Sequence, residues 1–229
     1  MSPEAEASLD NPAYEALCGP HAGFAEIRGR VRRYPVDVAP FIGLPSQPST
    51  QDWRDAAALI APGAYAAVPY GNNELPESLK VLDTFDLVQM IGERVTGGEC
   101  AEAVALGAAD VPEMLDLVAR TEPGPFLART VEMGDYLGIR SGGELVAMAG
   151  ERFHLDGWTE ISAVCTHPDH RGRGLASQLM GALVAGIQER SEGVFLHALA
   201  TNVGAIRLYE QLGFRVRQTA TIAVVTPAT

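Results

Sequence analysis

Apolar residues recur every four positions between residues 175 and 187, where a stripe is formed by Leu175, Leu179, Leu183 and Ile187. This spacing predicts a long helix with one face packed on a sheet. Residues 191–193, Ser-Glu-Gly, predict its end. The next segment, 194–199, is short and apolar, and predicts a buried strand. A second helix is expected between Asn202 and Gly213, followed by a final strand or hairpin over 214–225.

Upstream of the long helix, the pattern changes to short strands separated by turns. Strands are predicted over 135–140, 144–153 and 158–166, and the Ser-Gly-Gly turn at 141–143 suits a hairpin. A short strand over 103–106 and helices over 111–120, capped by Asp110, and 124–131 precede them. This order predicts an α/β (α+β) fold with a mixed, mostly antiparallel central sheet flanked by helices.

The first 97 residues give a weaker pattern. A helix is predicted over 9–17, broken strands over 24–42, and a helix that starts at a capping box formed by Ser49 and Asp52. Residues 64–69 and 79–91 are predicted to be extended. We therefore expect an N-terminal α/β lobe over 1–97 and a catalytic domain over 98–229, with no catalytic constellation in the first.

Composition narrows the function classes. The chain has 229 residues and a net charge of −12, and its densest basic run, Arg28 to Arg33, is short and flanked by acids, which disfavours nucleic-acid binding. Three widely spaced cysteines predict neither disulfides nor a metal site. The first residues lack the pattern of a signal peptide, and no apolar run approaches the roughly 20 residues of a membrane helix. We expect a cytoplasmic protein without a membrane partner.

The strand over 158–166 leads through His-Pro-Asp-His-Arg-Gly-Arg-Gly, residues 167–174, directly into the long helix. Glycines let a backbone approach a ligand closely, and the first N–H groups of a helix have no partner within it. This turn therefore suits a pyrophosphate. A plain strand-to-helix connection is the competing interpretation. Ser177 stands where a dinucleotide fingerprint needs its third glycine, and no Gly-Lys-Ser/Thr follows for a P-loop.

The turn resembles that of the GCN5-related N-acetyltransferase (GNAT) family, whose pattern Arg/Gln-x-x-Gly-x-Gly/Ala is met by Arg171, Gly174 and Ala176. The preceding strand and the ending Leu-Tyr-Glu-Gln-Leu-Gly-Phe, residues 208–214, also resemble that family, most closely its FR47-like branch. The resemblance covers about residues 98–225. It implies the GNAT fold and acetyl-CoA, or another acyl-CoA, as co-substrate. The N-terminal lobe is a candidate degenerate copy of the same fold.

The resemblance implies a cofactor site position by position. The backbone of the turn and the first helical residues would hold the CoA pyrophosphate, with the Ser177 hydroxyl in reach, and the preceding strand and Asn202 would hold the pantetheine arm. Asn202 is equally expected as an ordinary helix N-cap. The cofactor-binding residues implied in this way are Val164, Cys165, Thr166, Arg171, Gly172, Arg173, Gly174, Leu175, Ala176, Ser177 and Asn202.

Two side chains are implied for the chemistry. Tyr209 lies seven residues after Asn202, on the same helical face, and resembles the family's general acid, which protonates the departing thiolate. A core aromatic is its alternative. Glu160 is the candidate general base, acting directly or through a water, and a solvated strand-end carboxylate is the competing interpretation. Alternative bases are His154, His167, His170 and His197.

The predicted function is N-acyl transfer from acetyl-CoA to a primary amine of a small molecule or peptide, by direct attack in a ternary complex. A ping-pong route through Cys165 is disfavoured, because a strand cysteine usually packs in the core. Two alternatives keep the fold: an amino-acid N-acyltransferase, resembling glycine acyltransferases, that uses a larger acyl-CoA, and a non-catalytic CoA-binding module. A homodimer is expected only from the general frequency of dimers.

Overall fold

The computed structural model describes residues 3–71 and 75–228. Five α-helices are present among them: α1 (Pro12–Cys18), α2 (Thr50–Leu59), α3 (Val111–Thr121), α4 (Leu175–Glu189) and α5 (Val203–Gln211). Short 3-10 helices span Pro3–Asp10, Ala22–Phe24, Ala108–Asp110, Thr130–Met133 and Pro168–His170. The strands are β1 (Glu26–Arg28), β2 (Val31–Arg33), β3 (Ile42–Gly43), β4 (Ala66–Pro69), β5 (Leu79–Ile91), β6 (Ala103–Leu106), β7 (Tyr136–Ser141), β8 (Glu144–Leu155), β9 (Trp158–Thr166), β10 (Gly193–Leu199) and β11 (Arg215–Pro227).

Eight of these strands form the main sheet, in the order β4-β11-β5-β10-β9-β8-β7-β6. Every neighbouring pair is antiparallel except β9 and β10, which run parallel because α4 crosses over between them. The predicted mixed, mostly antiparallel sheet flanked by helices is therefore confirmed. Strands β1 to β3 form a separate small antiparallel sheet.

The boundary predicted at residues 97 and 98 does not separate two sheets. Strand β5 comes from the first 97 residues, yet it pairs with β10 on one side and with β11 on the other. Strand β4 also joins the main sheet, at its edge beside β11. The sequence pattern gave no sign of this, because hydrophobic periodicity defines a strand but not its partner. The degenerate GNAT-like copy stays a hypothesis.

Two layers cover the faces of the main sheet. On one face, the predicted stripe of α4 is buried against β8, β9 and β10, and residues of α5 pack into the same apolar cluster. On the opposite face, α1 packs on β8 in one cluster and α3 packs on β8 and β9 in another. The α4 face thus carries the elements in which the sequence predicted cofactor and acid residues.

The turns agree with the sequence in one place and differ in another. Gly142 and Gly143 have φ values of 61° and 94° and join the paired Ser141 and Glu144, as a two-residue hairpin requires. The helix predicted over 124–131 is wrong: only Thr130–Met133 is helical there, as a 3-10 turn.

Among the described residues, no helix is long and apolar enough to cross a bilayer.

Candidate active site

The parallel strands β9 and β10 separate before they end. Their backbone pairing runs from Trp158 opposite Gly193 to Ile161 opposite Leu196. Beyond that point β9 continues to Thr166 and β10 to Leu199, and no pairs between the two are formed. We call the opening between residues 162–166 and 197–199 the wedge. Main-chain groups that face the wedge are free to bond an extended ligand.

A bulge in β9 lies at the closed end of the wedge. Ala163 has φ 53°, and the register of β9 against β8 shifts between Met148 and Gly150. A β-bulge turns side chains and increases local twist, which helps one strand to diverge from its neighbour. The predicted pantetheine residues Val164, Cys165 and Thr166 all follow the bulge and line the wedge.

The glycine turn stands at the open end of the wedge and leads into α4. Gly172 and Gly174 have φ values of 74° and 75°, which other residues adopt only with strain. Among the residues that the structure describes, a Cβ atom at Gly172 would meet nothing within 4 Å, and one at Gly174 would meet only the end of Gln178, at 3.9 Å. The surface over both glycines is therefore open.

The backbone N–H groups of residues 172–177 have no acceptor among the described residues. They comprise the turn and the first helical residues predicted to bind the pyrophosphate. These orphan donors lie at the positive end of the 15-residue α4, so the turn can bind an anion.

Helix α5 flanks the wedge on the α4 face. Asn202 is its N-cap, and the side-chain oxygen of Asn202 accepts a hydrogen bond from the Ala205 N–H at 3.1 Å. Tyr209 is 8% exposed and packs in one cluster with Leu196 and Ala198 of β10. Burial, with a smaller effect of Cys165, raises the pKa of Tyr209 to about 12. Its hydroxyl is therefore protonated at neutral pH, as an acid must be.

Cys165 is a poor nucleophile in this setting. It is 5% exposed and packs against the α3 side of the sheet. Burial raises the pKa of its thiol to about 11, so the reactive thiolate is scarce at neutral pH. The geometry agrees with the sequence interpretation of Cys165 as a packing residue.

Glu160, the predicted base, is fully buried on β9. Its carboxylate receives two hydrogen bonds from Arg152, at 2.6 and 2.7 Å, and lies 2.6 Å from Nδ1 of His197. Burial alone would raise the pKa of Glu160, but the Arg152 charge and these hydrogen bonds lower it to about 2. A carboxylate this stable binds protons weakly, so the geometry argues against Glu160 as the base. A sequence pattern cannot reveal such a partner, because Arg152 lies on a different strand.

The same hydrogen bonding continues across the sheet. His197 Nε2 lies 3.1 Å from Nε2 of Gln89, whose Oε1 accepts a hydrogen bond from Arg217 at 2.9 Å. Gln89 thus donates to His197, and His197 donates through Nδ1 to Glu160. Each member of this buried polar row comes from a different strand: Arg152, Glu160, His197, Gln89 and Arg217. Both ring nitrogens of His197 are engaged, which removes it as a ready base.

The other predicted histidines lie away from the closed end of the wedge. His154 is on β8 beside Glu151, at 3.3 Å. His167 and His170 are in the turn, where sequence reasoning expected conformational roles. Sequence reasoning overlooked Arg120, on the last turn of α3, whose Nη1 atom is 3.3 Å from Nε2 of His167. Only the folding of α3 against β9 brings these two side chains together.

A mixed sheet whose parallel pair opens into a wedge, with a glycine turn and a helix N-terminus at its open end, defines a fold class shared with known acyltransferases. Residues 136–223 match the family model described as FR47-like protein. No curated protein matches the chain. A solved structure of a GNAT-family protein from Novosphingobium aromaticivorans is 36% identical, with a TM-score of 0.86, and the alignment covers 96% of this chain and 99% of that one.

Two more distant structures share the fold. A GCN5-related N-acetyltransferase from Kribbella flavida is 17% identical, with a TM-score of 0.61 and coverage of 95% of each chain. A GCN5-related N-acetyltransferase-like protein from Streptococcus suis is 15% identical, with a TM-score of 0.51, and covers 81% of this chain and 78% of its own. The chain belongs to the GCN5-related N-acetyltransferase family, and it is an acetyltransferase.

Proposed function

We propose that the protein transfers an acetyl group from acetyl-CoA to a primary amine by direct attack while both substrates are bound. One observation carries the proposal: a wedge with unpaired main-chain groups opens onto a turn whose amides, residues 172–177, lack acceptors among the described residues. An acyl-CoA carries a peptide-like pantetheine arm and a pyrophosphate in that order. Its two parts therefore match the two unsatisfied parts of the site.

The pyrophosphate is held by the amides of the turn and of the first residues of α4, including Leu175, Ala176 and Ser177. The pantetheine arm lies in the wedge and pairs with the main chain of residues 164–166. A main-chain N–H there donates a hydrogen bond to the thioester carbonyl oxygen and polarises the carbonyl. This hydrogen bond strengthens as negative charge develops on the oxygen. Asn202 caps α5 and stands next to the arm.

The amine nitrogen attacks the carbonyl carbon and forms a tetrahedral intermediate. The carbon–sulfur bond then breaks, and the Tyr209 hydroxyl gives its proton to the departing thiolate. The proton of the attacking amine leaves to water, because Glu160 is ion-paired and fully buried. Tyr209 regains its proton from solvent.

The first test is calorimetric titration of the protein with CoA and with acetyl-CoA, beside a Gly174→Ala variant. The φ of 75° that Gly174 adopts is strained for alanine, and the new methyl group stands where the pyrophosphate would approach. We expect saturable binding by the native protein and at least tenfold weaker binding by the variant, since charge-assisted bonds are lost.

Gly63→Ala is the matched control. Gly63 also has a φ of 79° and open space around a new Cβ, but it lies between α2 and β4. The control should lose similar stability and bind CoA as the native protein does. Absence of CoA binding by the native protein would remove the proposed function. Binding without transfer in a screen of primary amines would instead indicate a CoA-binding module, and transfer only from longer acyl-CoA to glycine would indicate an amino-acid acyltransferase.

A further inference from the structure

Four side chains beside the glycine turn form what we call the basic rim: Arg120, His167, His170 and Arg173. Arg120 comes from the last turn of α3 and the other three come from the segment between β9 and α4. Arg120 Nη1 lies 3.3 Å from Nε2 of His167, and Arg173 Nη1 lies 2.9 Å from Nδ1 of His170. The rings of His167 and His170 are in edge contact, with centroids 5.8 Å apart.

Hydrogen-bond donors exceed acceptors in the basic rim. The Asp169 N–H points at Nδ1 of His167 at 3.3 Å, while the Arg120 guanidinium points at Nε2 of the same ring. A guanidinium only donates, and a neutral imidazole offers one acceptor nitrogen. One of the two contacts to His167 therefore sets a donor against a donor. An acceptor-rich ligand would resolve this conflict.

The charge of the basic rim also favours an anionic, acceptor-rich ligand. The chain as a whole carries −12, yet this rim gathers two arginines and two histidines, with Arg171 between them in sequence. The carboxylates in contact are exposed: Asp116 holds Arg120 at 2.8 Å, and Asp169 is 3.9 Å from His167. Exposed pairs of this kind are weak and leave the guanidinium free to bond an anion.

We propose that the basic rim binds the 3′-phosphate of CoA, so that the site distinguishes CoA from 3′-dephospho-CoA. This inference rests on the proposed function, in which the amides of residues 172–177 already hold the pyrophosphate. A phosphate monoester is a dianion with three acceptor oxygens, which matches a cluster of forked donors. The 3′-phosphate would accept hydrogen bonds from Arg120, from Arg173 and from the ring N–H of His167 that faces another donor.

The test is calorimetric titration of the full chain with CoA and with 3′-dephospho-CoA, for the native protein and for Arg120→Gln. The native protein is expected to bind CoA at least tenfold more tightly than 3′-dephospho-CoA. Arg120→Gln should lower that preference several-fold and leave the affinity for 3′-dephospho-CoA unchanged. Arg54→Gln, an exposed arginine on α2, is the control and should keep the full preference.

Three outcomes overturn the inference. Equal affinity of the native protein for both ligands would refute it and leave the acyl-CoA site standing. An equal loss of affinity for both ligands in Arg120→Gln would place Arg120 at the pyrophosphate or in the structure of the turn. No binding of either ligand would remove the inference together with the proposed function. Thermal unfolding of each variant shows that a lost preference does not come from a lost fold.

Discussion

Two polar regions of this protein, the buried polar row that crosses β9 at Glu160 and the glycine turn that follows β9, differ in how their hydrogen bonds are satisfied. In the buried polar row, each charged or amide group has a partner on a neighbouring strand, from Arg152 to Arg217. In the glycine turn, six consecutive amides lack acceptors among the described residues, and donors point at donors around His167. A satisfied buried network holds a fold together, whereas unsatisfied donors at an open surface are available to a ligand.

Tyr209 differs from the buried polar row, because burial and the nearby Cys165, and no hydrogen bond to a described residue, account for the raised pKa of its hydroxyl. We expect Tyr209→Phe to lower kcat by about 10²- to 10⁴-fold, the usual contribution of a general acid. Stability should change by less than about 0.5 kcal/mol, since no hydrogen bond is lost. The rate is followed as CoA thiol release with the best acceptor from a screen of primary amines.

A small loss of kcat in Tyr209→Phe would contradict the acid role. CoA titration of the same variant is the control, and its affinity should match that of the native protein. A variant that loses CoA binding and activity together would indicate that Tyr209 shapes the wedge.

Glu160 belongs to the satisfied region, and its replacement should have the opposite effect. Glu160→Gln leaves the buried Arg152 without a counter-charge, which typically costs about 3 to 5 kcal/mol. We expect a matching loss in the free energy of unfolding, measured by urea denaturation. Glu122→Gln, on an exposed residue, is the control.

The kcat of the folded Glu160→Gln variant distinguishes a structural role of Glu160 from a role as the general base. Measured well below its unfolding midpoint, its kcat should fall much less than that of Tyr209→Phe. A normal stability with kcat reduced a thousandfold would restore Glu160 as the general base.

A smaller change in the free energy of unfolding is expected when His21 becomes protonated. This residue joins the N-terminal layer to the main sheet. His21 is 5% exposed, its Nδ1 lies 2.8 Å from the Tyr34 hydroxyl, and its ring centroid is 5.3 Å from that of His154. Burial, then the charge of His154, lowers the pKa of His21 to about 4. In the unfolded chain the pKa returns to about 6.5.

Because the folded state resists protonation of His21, its stabilising effect is complete above pH 6.5 and is lost as the pH falls towards 4. At about 1.4 kcal/mol for each pKa unit, the loss reaches at most about 3.5 kcal/mol. Urea denaturation at several pH values measures it. His21→Asn should flatten this pH dependence, and an unchanged dependence in that variant would assign it to other groups.

The sequence alone predicted the parts of the site that depend on local order. Glycines at 172 and 174, followed by a helix with a four-residue apolar repeat, can be recognised from neighbouring residues, and Asn202 and Tyr209 share one helix. The wedge, Arg120 and the true setting of Glu160 could not be predicted in this way. Arg120 and His167 are 47 positions apart, and Gln89 and His197 are 108 apart.

What the sequence by itself determined, therefore, is the turn, the helices around it and the family resemblance, since these follow from periodicity and motifs within short windows. Tertiary structure alone decided that β5 enters the main sheet and that Glu160 is locked between Arg152 and His197. Strand partners and buried ion pairs arise from the register of distant segments. Burial then raises the pKa of Tyr209 and of Cys165, whereas Arg152 and His197 outweigh burial and lower the pKa of Glu160. No pattern of residues along the chain can specify these surroundings.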